Sequence, residues 1–128
     1  MSPDGERFQR FLNENFVILT TFRKDGRSVA TTINIAVNGD HAYFRTTMDT
    51  GKIKRIRNNP RVTIAPGTRQ GAITGSSMDA DARLLSGEES SRASGVLIRK
   101  YPIIHRFVPI LQRLSRKQSV MVELTATS

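Results

Sequence analysis

Cysteine is absent from this 128-residue chain, and histidine occurs only twice. The first absence excludes disulfides, thiolate metal sites and cysteine nucleophiles, and it suits a reducing cytoplasm. His41 heads an expected strand and His105 falls in a late helical stretch. Neither has a partner at metal-ligand spacing, so structural or surface roles are expected for both. The N-terminus, MSPDGERFQRFLNENF, lacks an apolar run of signal-peptide length, and no run in the chain is long enough to span a bilayer. The expectation is a soluble, cytoplasmic, single-domain protein over residues 1–128. Ser76-Ser77 and Ser90-Ser91 lack the strained turn and nearby base of a nucleophilic hydrolase. Asp79 and Asp81 point the same way on a strand, but with Arg83 beside them a surface charge ladder is expected rather than an acid–base pair.

Acidic residues are also missing from one long window. None occurs between Thr50 and Met78, while Lys52, Lys54, Arg55, Arg57, Arg61 and Arg69 all fall inside it. The net charge of +9 and a pI near 11.1 favour an anionic partner: nucleic acid, an acidic membrane surface or a polyanionic small molecule. Six Phe and two Tyr, mostly at core-like positions, supply few exposed rings for base stacking, which argues against nucleic acid. A peripheral membrane role for the basic stretch Val96–Lys117 is opposed by its two prolines and by the strand that follows it.

The patterning reads as mainly β with some α. Glu6–Asn15 suits a short amphipathic helix with Phe8, Phe11 and Leu12 on one side. Phe16–Phe22 is a strand, Lys24-Asp25-Gly26 a turn, and Arg27–Val37 alternates as a second strand. Asn38-Gly39-Asp40 then turns into a third strand, His41–Thr47, completing a three-stranded meander. A short helix follows, with Asp49 or Thr50 as N-cap and Ile53 and Ile56 as its apolar edge. Arg61–Ala65 is a fourth strand and Gly71–Leu85 a long fifth, with Gly75 marking a bend where the sheet curls toward closure. From Gly87 a helical region runs on with Leu97, Tyr101, Ile104, Val108, Leu111 and Leu114 in register. Pro102 and Pro109 break it, and Ser119–Thr125 closes the sheet.

The helix after the third strand is electrostatically inverted. A helix start carries unpaired N–H groups and a partial positive charge that favour Asp and Glu, yet its first turn holds Lys52, Lys54 and Arg55. An anion would relieve that strain, and a phosphate held by backbone N–H groups, the Thr46 and Thr47 hydroxyls and lysine fits best. The competing reading is a solvated basic helix. With catalytic acid–base residues scarce, an enzyme built this way relies on a bound cofactor. Thr31, Thr32 and Asn34, on the strand taken to lie beside the one ending at Thr46-Thr47, would then form a shelf over the phosphate site.

The run TTINIAVNGDHAYFRTTMDTGKIKRIRNNPRVTIAPGTRQG and the order of elements resemble the pyridoxamine 5'-phosphate oxidase-like split β-barrel superfamily. More narrowly they resemble its small enzymes that use the deazaflavin coenzyme F-420. The most specific piece is T-x-K-x-K-R-[IL]-R-x-N/D-P-R-V, carried here by Thr50, Lys52, Lys54, Arg55, Ile56, Arg57, Asn59, Pro60, Arg61 and Val62. The later GSSMDADARLL, RKYPIIHRF and VMVEL segments extend the resemblance from about Phe16 to the end of the chain. It implies a six-stranded antiparallel split β-barrel, the FMN-binding type, with short flanking helices. It also implies that Lys52 contacts the cofactor phosphate, with Thr46, Thr47 and Thr50 beside it and Arg55 in support. Thr31, Thr32 and Asn34 would run alongside the ring, and a homodimer would hold the cofactor in the groove between subunits. Where relatives show a T-P-V-W-F-like run this chain has Thr31-Thr32-Ile33-Asn34-Ile35, so the Pro and the aromatic are replaced by Thr32 and Asn34. Sister families on the same scaffold bind flavin mononucleotide (FMN), which stands as the alternative cofactor, and a non-catalytic flavin or deazaflavin carrier on the same fold stands as an alternative function. The expected chemistry is hydride transfer to a small unsaturated substrate entering past the helices around Tyr101–Leu114.

Overall fold

The structure, a computed structural model, describes residues 8–48, 50–101 and 119–127. Its strands are β1 (Val17–Phe22), β2 (Ser28–Ile33), β3 (Ala36–Asn38), β4 (His41–Thr47), β5 (Arg61–Pro66), β6 (Met78–Leu85) and β7 (Ser119–Ala126). Helix α1 (Gly51–Asn58) joins β4 to β5, and α2 (Gly87–Lys100) follows β6. The strands form one antiparallel sheet in the order β2-β1-β5-β6-β7-β4-β3. β2 and β3 lie at opposite ends of that order, yet only Asn34 and Ile35 separate them in the chain. The sheet therefore curls until its edges approach each other, giving a mainly β half-barrel.

Seven strands stand where six were expected, because the second expected strand is two. β2 pairs with β1, Ile33 opposite Val17, whereas β3 pairs with β4, Ala36 opposite Tyr43. The three-stranded meander is thus replaced by two hairpins on opposite edges. Alternation runs through the break unchanged because it records which face a side chain takes, not which strand is its partner. The long Gly71–Leu85 strand is also shorter than expected: ladder pairing starts at Met78, and residues 71–77 form an exposed loop. Gly71 has φ +96°, and a β-carbon on Gly75 would come within 2.7 Å of Pro66 Cγ, so both glycines serve the turn rather than a strand.

Inside the curl, Val17, Leu19, Phe44, Val62, Ile64, Val122 and Leu124 are fully buried, with Phe8 and Phe11 from the N-terminal turn. Leu12, expected beside them, is 44% exposed. Ile53 and Ile56 anchor α1 in this interior core, as their spacing predicts. Each such side chain contributes about 1.5–3 kcal/mol. A second apolar cluster lies outside, where Ala93, Val96 and Leu97 of α2 cover Ala36, Leu85 and Met121. Helix α2 obeys the dipole, with Glu88 and Glu89 in its first turn and Arg99 and Lys100 in its last. It ends just before Tyr101, the residue preceding Pro102. The continuation expected through Pro109, with His105 and Leu114, lies outside the described residues, as does Asp49. On the outer face of β6 the charge ladder is present: Arg61 meets Asp81 at 3.3 Å, and Arg83 bridges Glu89 (2.6 Å) and Glu123 (3.1 Å).

Candidate functional site

Strand β4 ends against α1. Ala42, Phe44 and Thr46 alternate on its interior face, so Thr46 emerges where Ile53 and Ile56 seat the helix. Thr50 is the N-cap residue by backbone, but its hydroxyl donates to the Thr47 carbonyl (3.0 Å) and lies 3.5 Å from Thr46 Oγ1. The first turn of α1 consequently has neither a side-chain cap nor an acidic residue. Lys52 stands half-buried there, without a hydrogen-bond or ion-pair partner among the described residues. Burial, reinforced by the charge of Arg55, holds its ammonium below the ordinary lysine pKa.

Arg55 is fixed from two sides. Its Nε donates to Thr21 Oγ1 at 2.5 Å, and that threonine, on the penultimate position of β1, is fully buried. The Thr21 hydroxyl in turn lies 3.5 Å from the Val29 carbonyl of β2. On the other side the guanidinium folds back over Gly51: a β-carbon there would sit 2.7 Å from Arg55 Nη1. Burial first and the Arg23 charge second lower the Arg55 pKa. Arg23 and Lys24, from the β1–β2 turn, join Gly51, Lys54, Arg55 and Asn58 around a cleft of about 250 Å³. The nearest carboxylate of that turn, Asp25, is engaged by Arg27, through its backbone N–H (3.0 Å) and Nε (2.7 Å). Cations of the β1–β2 turn and of α1 therefore line one flank of the helix, from Gly51 at its start to Asn58 at its end, and Lys52 is not part of that lining.

A second cleft, about 280 Å³, is lined by Ile18, Ala30, Thr31, Thr32, Gln70 and Gly71. The Thr31 hydroxyl is buried with no hydrogen-bond partner among the described residues. Thr31 and Thr32 do not lie on a strand adjoining β4, as the meander would have had it; β2 adjoins β1, and β4 lies between β7 and β3. They connect to the α1 end through β1 instead, by way of Thr21 and Val29. Asn34 occupies the β2–β3 break, where its Nδ2 donates to the Asn15 carbonyl (2.6 Å). The same knot is tied by Lys100, which donates to the Glu14 (2.7 Å) and Ile35 (2.8 Å) carbonyls. The Tyr101 hydroxyl also reaches Ile35 O at 3.2 Å, and burial pushes its pKa up to about 12.

So Thr46, Thr50, Lys52 and Arg55 gather at one barrel end, with Thr47 contributing its carbonyl; Thr31 and Thr32 share a separate cleft, and Asn34 belongs to a structural knot. Sequence reasoning passed over Thr21, Gly51, Arg23, Lys24 and Gln70. Thr21 carries one signal, as the inner-facing member of the Thr20-Thr21 pair in the mostly apolar FVILTTF strand; Gly51 and Arg55 carry another, an i, i+4 spacing that lets a long side chain lie on a bare backbone. Chemically the arrangement has the donors and the positive charge to hold an anion. Among the described residues no group of His, Asp and Glu is placed to hold a metal, and no helix is long and apolar enough to cross a membrane.

A family model described as pyridoxamine 5'-phosphate oxidase matches residues 5–127. The chain belongs to the pyridoxamine 5'-phosphate oxidase family. Solved structures agree in fold. A conserved hypothetical protein from Mycobacterium tuberculosis superposes with TM-score 0.71 at 20% identity, over 100% of this chain and 82% of that one. The heme storage protein HutZ from Vibrio cholerae gives 0.70 at 17%, over 99% and 90%. An FAD-binding protein from Mesorhizobium loti gives 0.66 at 16%, over 96% and 87%. No curated protein sequence matches the chain. At these identities the structures speak for the split-barrel fold common to the family.

Proposed function

We propose that the protein is a cytoplasmic oxidoreductase that binds the deazaflavin coenzyme F-420 by its phosphate, with hydride passing from the reduced coenzyme to a small unsaturated substrate. The observation that carries this reading is the start of α1: an uncapped first turn that contains Lys52, with the Arg55 guanidinium folded back over Gly51 and no acidic residue in that turn. Thr46 and Thr50 supply hydroxyls beside it, and the unpartnered Thr31 hydroxyl offers a polar contact for a ring lying along Thr31 and Thr32. The coenzyme supplies the hydride chemistry when bound. The chain's own residues hold the phosphate, screen its charge and fix the ring against β2, so donor and acceptor meet in a set geometry. A homodimer with the coenzyme in the groove between subunits belongs to the same reading, and nucleic acid is not the partner it names.

FMN is the second reading, favoured by the FAD-binding neighbour from Mesorhizobium loti and by the family itself. The surplus of cations, +9 overall, tilts the choice toward the more acidic deazaflavin. Heme storage, the role of the Vibrio cholerae neighbour, has less to rest on. His41, the one histidine among the described residues, sits 3.1 Å from Asp40 and 3.4 Å from Glu123 and lines neither cleft described above. Side-by-side fluorescence titrations with oxidised coenzyme F-420 and FMN at moderate salt test the proposal. Preference for the deazaflavin is expected; preference for FMN moves the protein to the second reading, and binding of neither removes both.

A further inference from the structure

We infer that Thr21, with Gly51 opposite it, is a positioning residue that presets the Arg55 guanidinium for an anion at the start of α1. Three facts converge. A fully buried hydroxyl on β1 accepts a 2.5 Å hydrogen bond from Arg55 Nε, so one of the guanidinium's five donors is committed and its plane is anchored. The absent side chain at Gly51 leaves the space that Nη1 enters, and any β-carbon there would be met at 2.7 Å. The anchored group carries a cation to the end of a helix that repels it, next to Lys52 and within the field of Arg23. Solvent is where an unanchored arginine at that position would relax to, because its side chain is long and the local potential is positive. Thr21 and Gly51 therefore hold Arg55 in a position that is unfavourable until an anion arrives, which spares the ligand the ordering of that side chain. Thr21 itself is buried beneath Arg55 and acts through it.

Naming phosphate as the anion rests on the functional reading above; the positioning itself does not. Inorganic phosphate is accordingly the probe, followed by thermal shift at fixed ionic strength with chloride as the reference. Wild type is expected to gain Tm with phosphate. Thr21→Val, which keeps shape and loses the acceptor, should bind phosphate about tenfold more weakly, and Thr21→Ser should restore it. Gly51→Ala should weaken phosphate as well, by displacing Nη1. In an Arg55→Gln background, Thr21→Val should cause no further loss. Wild-type phosphate binding in both Thr21→Val and Gly51→Ala overturns the inference. So does an undiminished Thr21→Val effect when Arg55 is already Gln, or no phosphate response in wild type. If Thr21→Val fails to fold, Gly51→Ala with and without Arg55→Gln decides alone. Phosphate binding that follows this pattern while coenzyme F-420 and FMN both fail to bind sinks the cofactor reading and leaves the positioning role standing.

Discussion

Arg55 of α1 donates to Thr21 of β1 at 2.5 Å, across 34 residues of sequence. The bond turns an otherwise solvated cation toward the helix start. It also links α1 to β2, because the same hydroxyl lies 3.5 Å from Val29 O. The start of α1 and strand β2 are thereby braced by one buried threonine.

Lys52→Ala should lower affinity for the phosphate-bearing coenzyme by about tenfold to a hundredfold, the scale of a charge-assisted contact. Stability should hold or rise slightly, since the substitution removes a half-buried ammonium without an ion-pair partner among the described residues. Coenzyme titration and thermal unfolding, run on the same preparation, check both. Undiminished affinity would remove Lys52 from the phosphate site.

The same lysine predicts the alkaline behaviour. Its folded pKa is lowered from 10.5, by burial and then by Arg55. The unfolded chain thus binds more protons than the native one between the folded value and 10.5, and in that window the ligand-free protein gains stability as pH rises. Phosphate favours the charged form, so coenzyme affinity should fall over the same window while apo stability climbs. Lys52→Arg should move the affinity loss to higher pH. Affinity that stays flat up to pH 10.5 in wild type would contradict the assignment.

Asn34 separates structure from binding. Its amide closes the β2–β3 break on the Asn15 carbonyl at 2.6 Å, beside the contacts of Lys100 and Tyr101 to Ile35. Asn34→Ala should cost about 0.5–1.5 kcal/mol, read as a lower Tm, and should leave coenzyme affinity within about twofold of wild type. Weakened binding with unchanged Tm would return Asn34 to the ring shelf.

Much of this was legible from the chain itself. Ile53 and Ile56 announced the buried edge of α1, the basic run after Thr50 announced a first turn without acidic residues, and Arg83 beside Asp79 and Asp81 announced a surface ladder. The β2–β3 break was not, because a strand that changes partner keeps its alternation of faces. That one miss put Thr31 and Thr32 beside the wrong strand. Thr21 stayed hidden for a related reason: threonine is ordinary in strands, and only the packing of α1 over β1 gives its hydroxyl a cation to hold.

Thr31 supplies a test in which stability and binding move in opposite directions. Its hydroxyl is buried without a hydrogen-bond partner among the described residues, a state that costs about 1–3 kcal/mol in the ligand-free protein. Thr31→Val removes the unsatisfied group at nearly constant shape, so the apo protein should become more stable. If that hydroxyl is held ready for the coenzyme ring, the variant should bind coenzyme several-fold more weakly despite its higher Tm. A purely structural threonine cannot produce that pairing, since stability and binding would then shift together or binding would not shift at all. Thermal unfolding of the apo variant beside a coenzyme titration reads both signs. A stabilised variant with wild-type affinity would place the ring elsewhere than along β2, while leaving the phosphate cradle at α1 untouched.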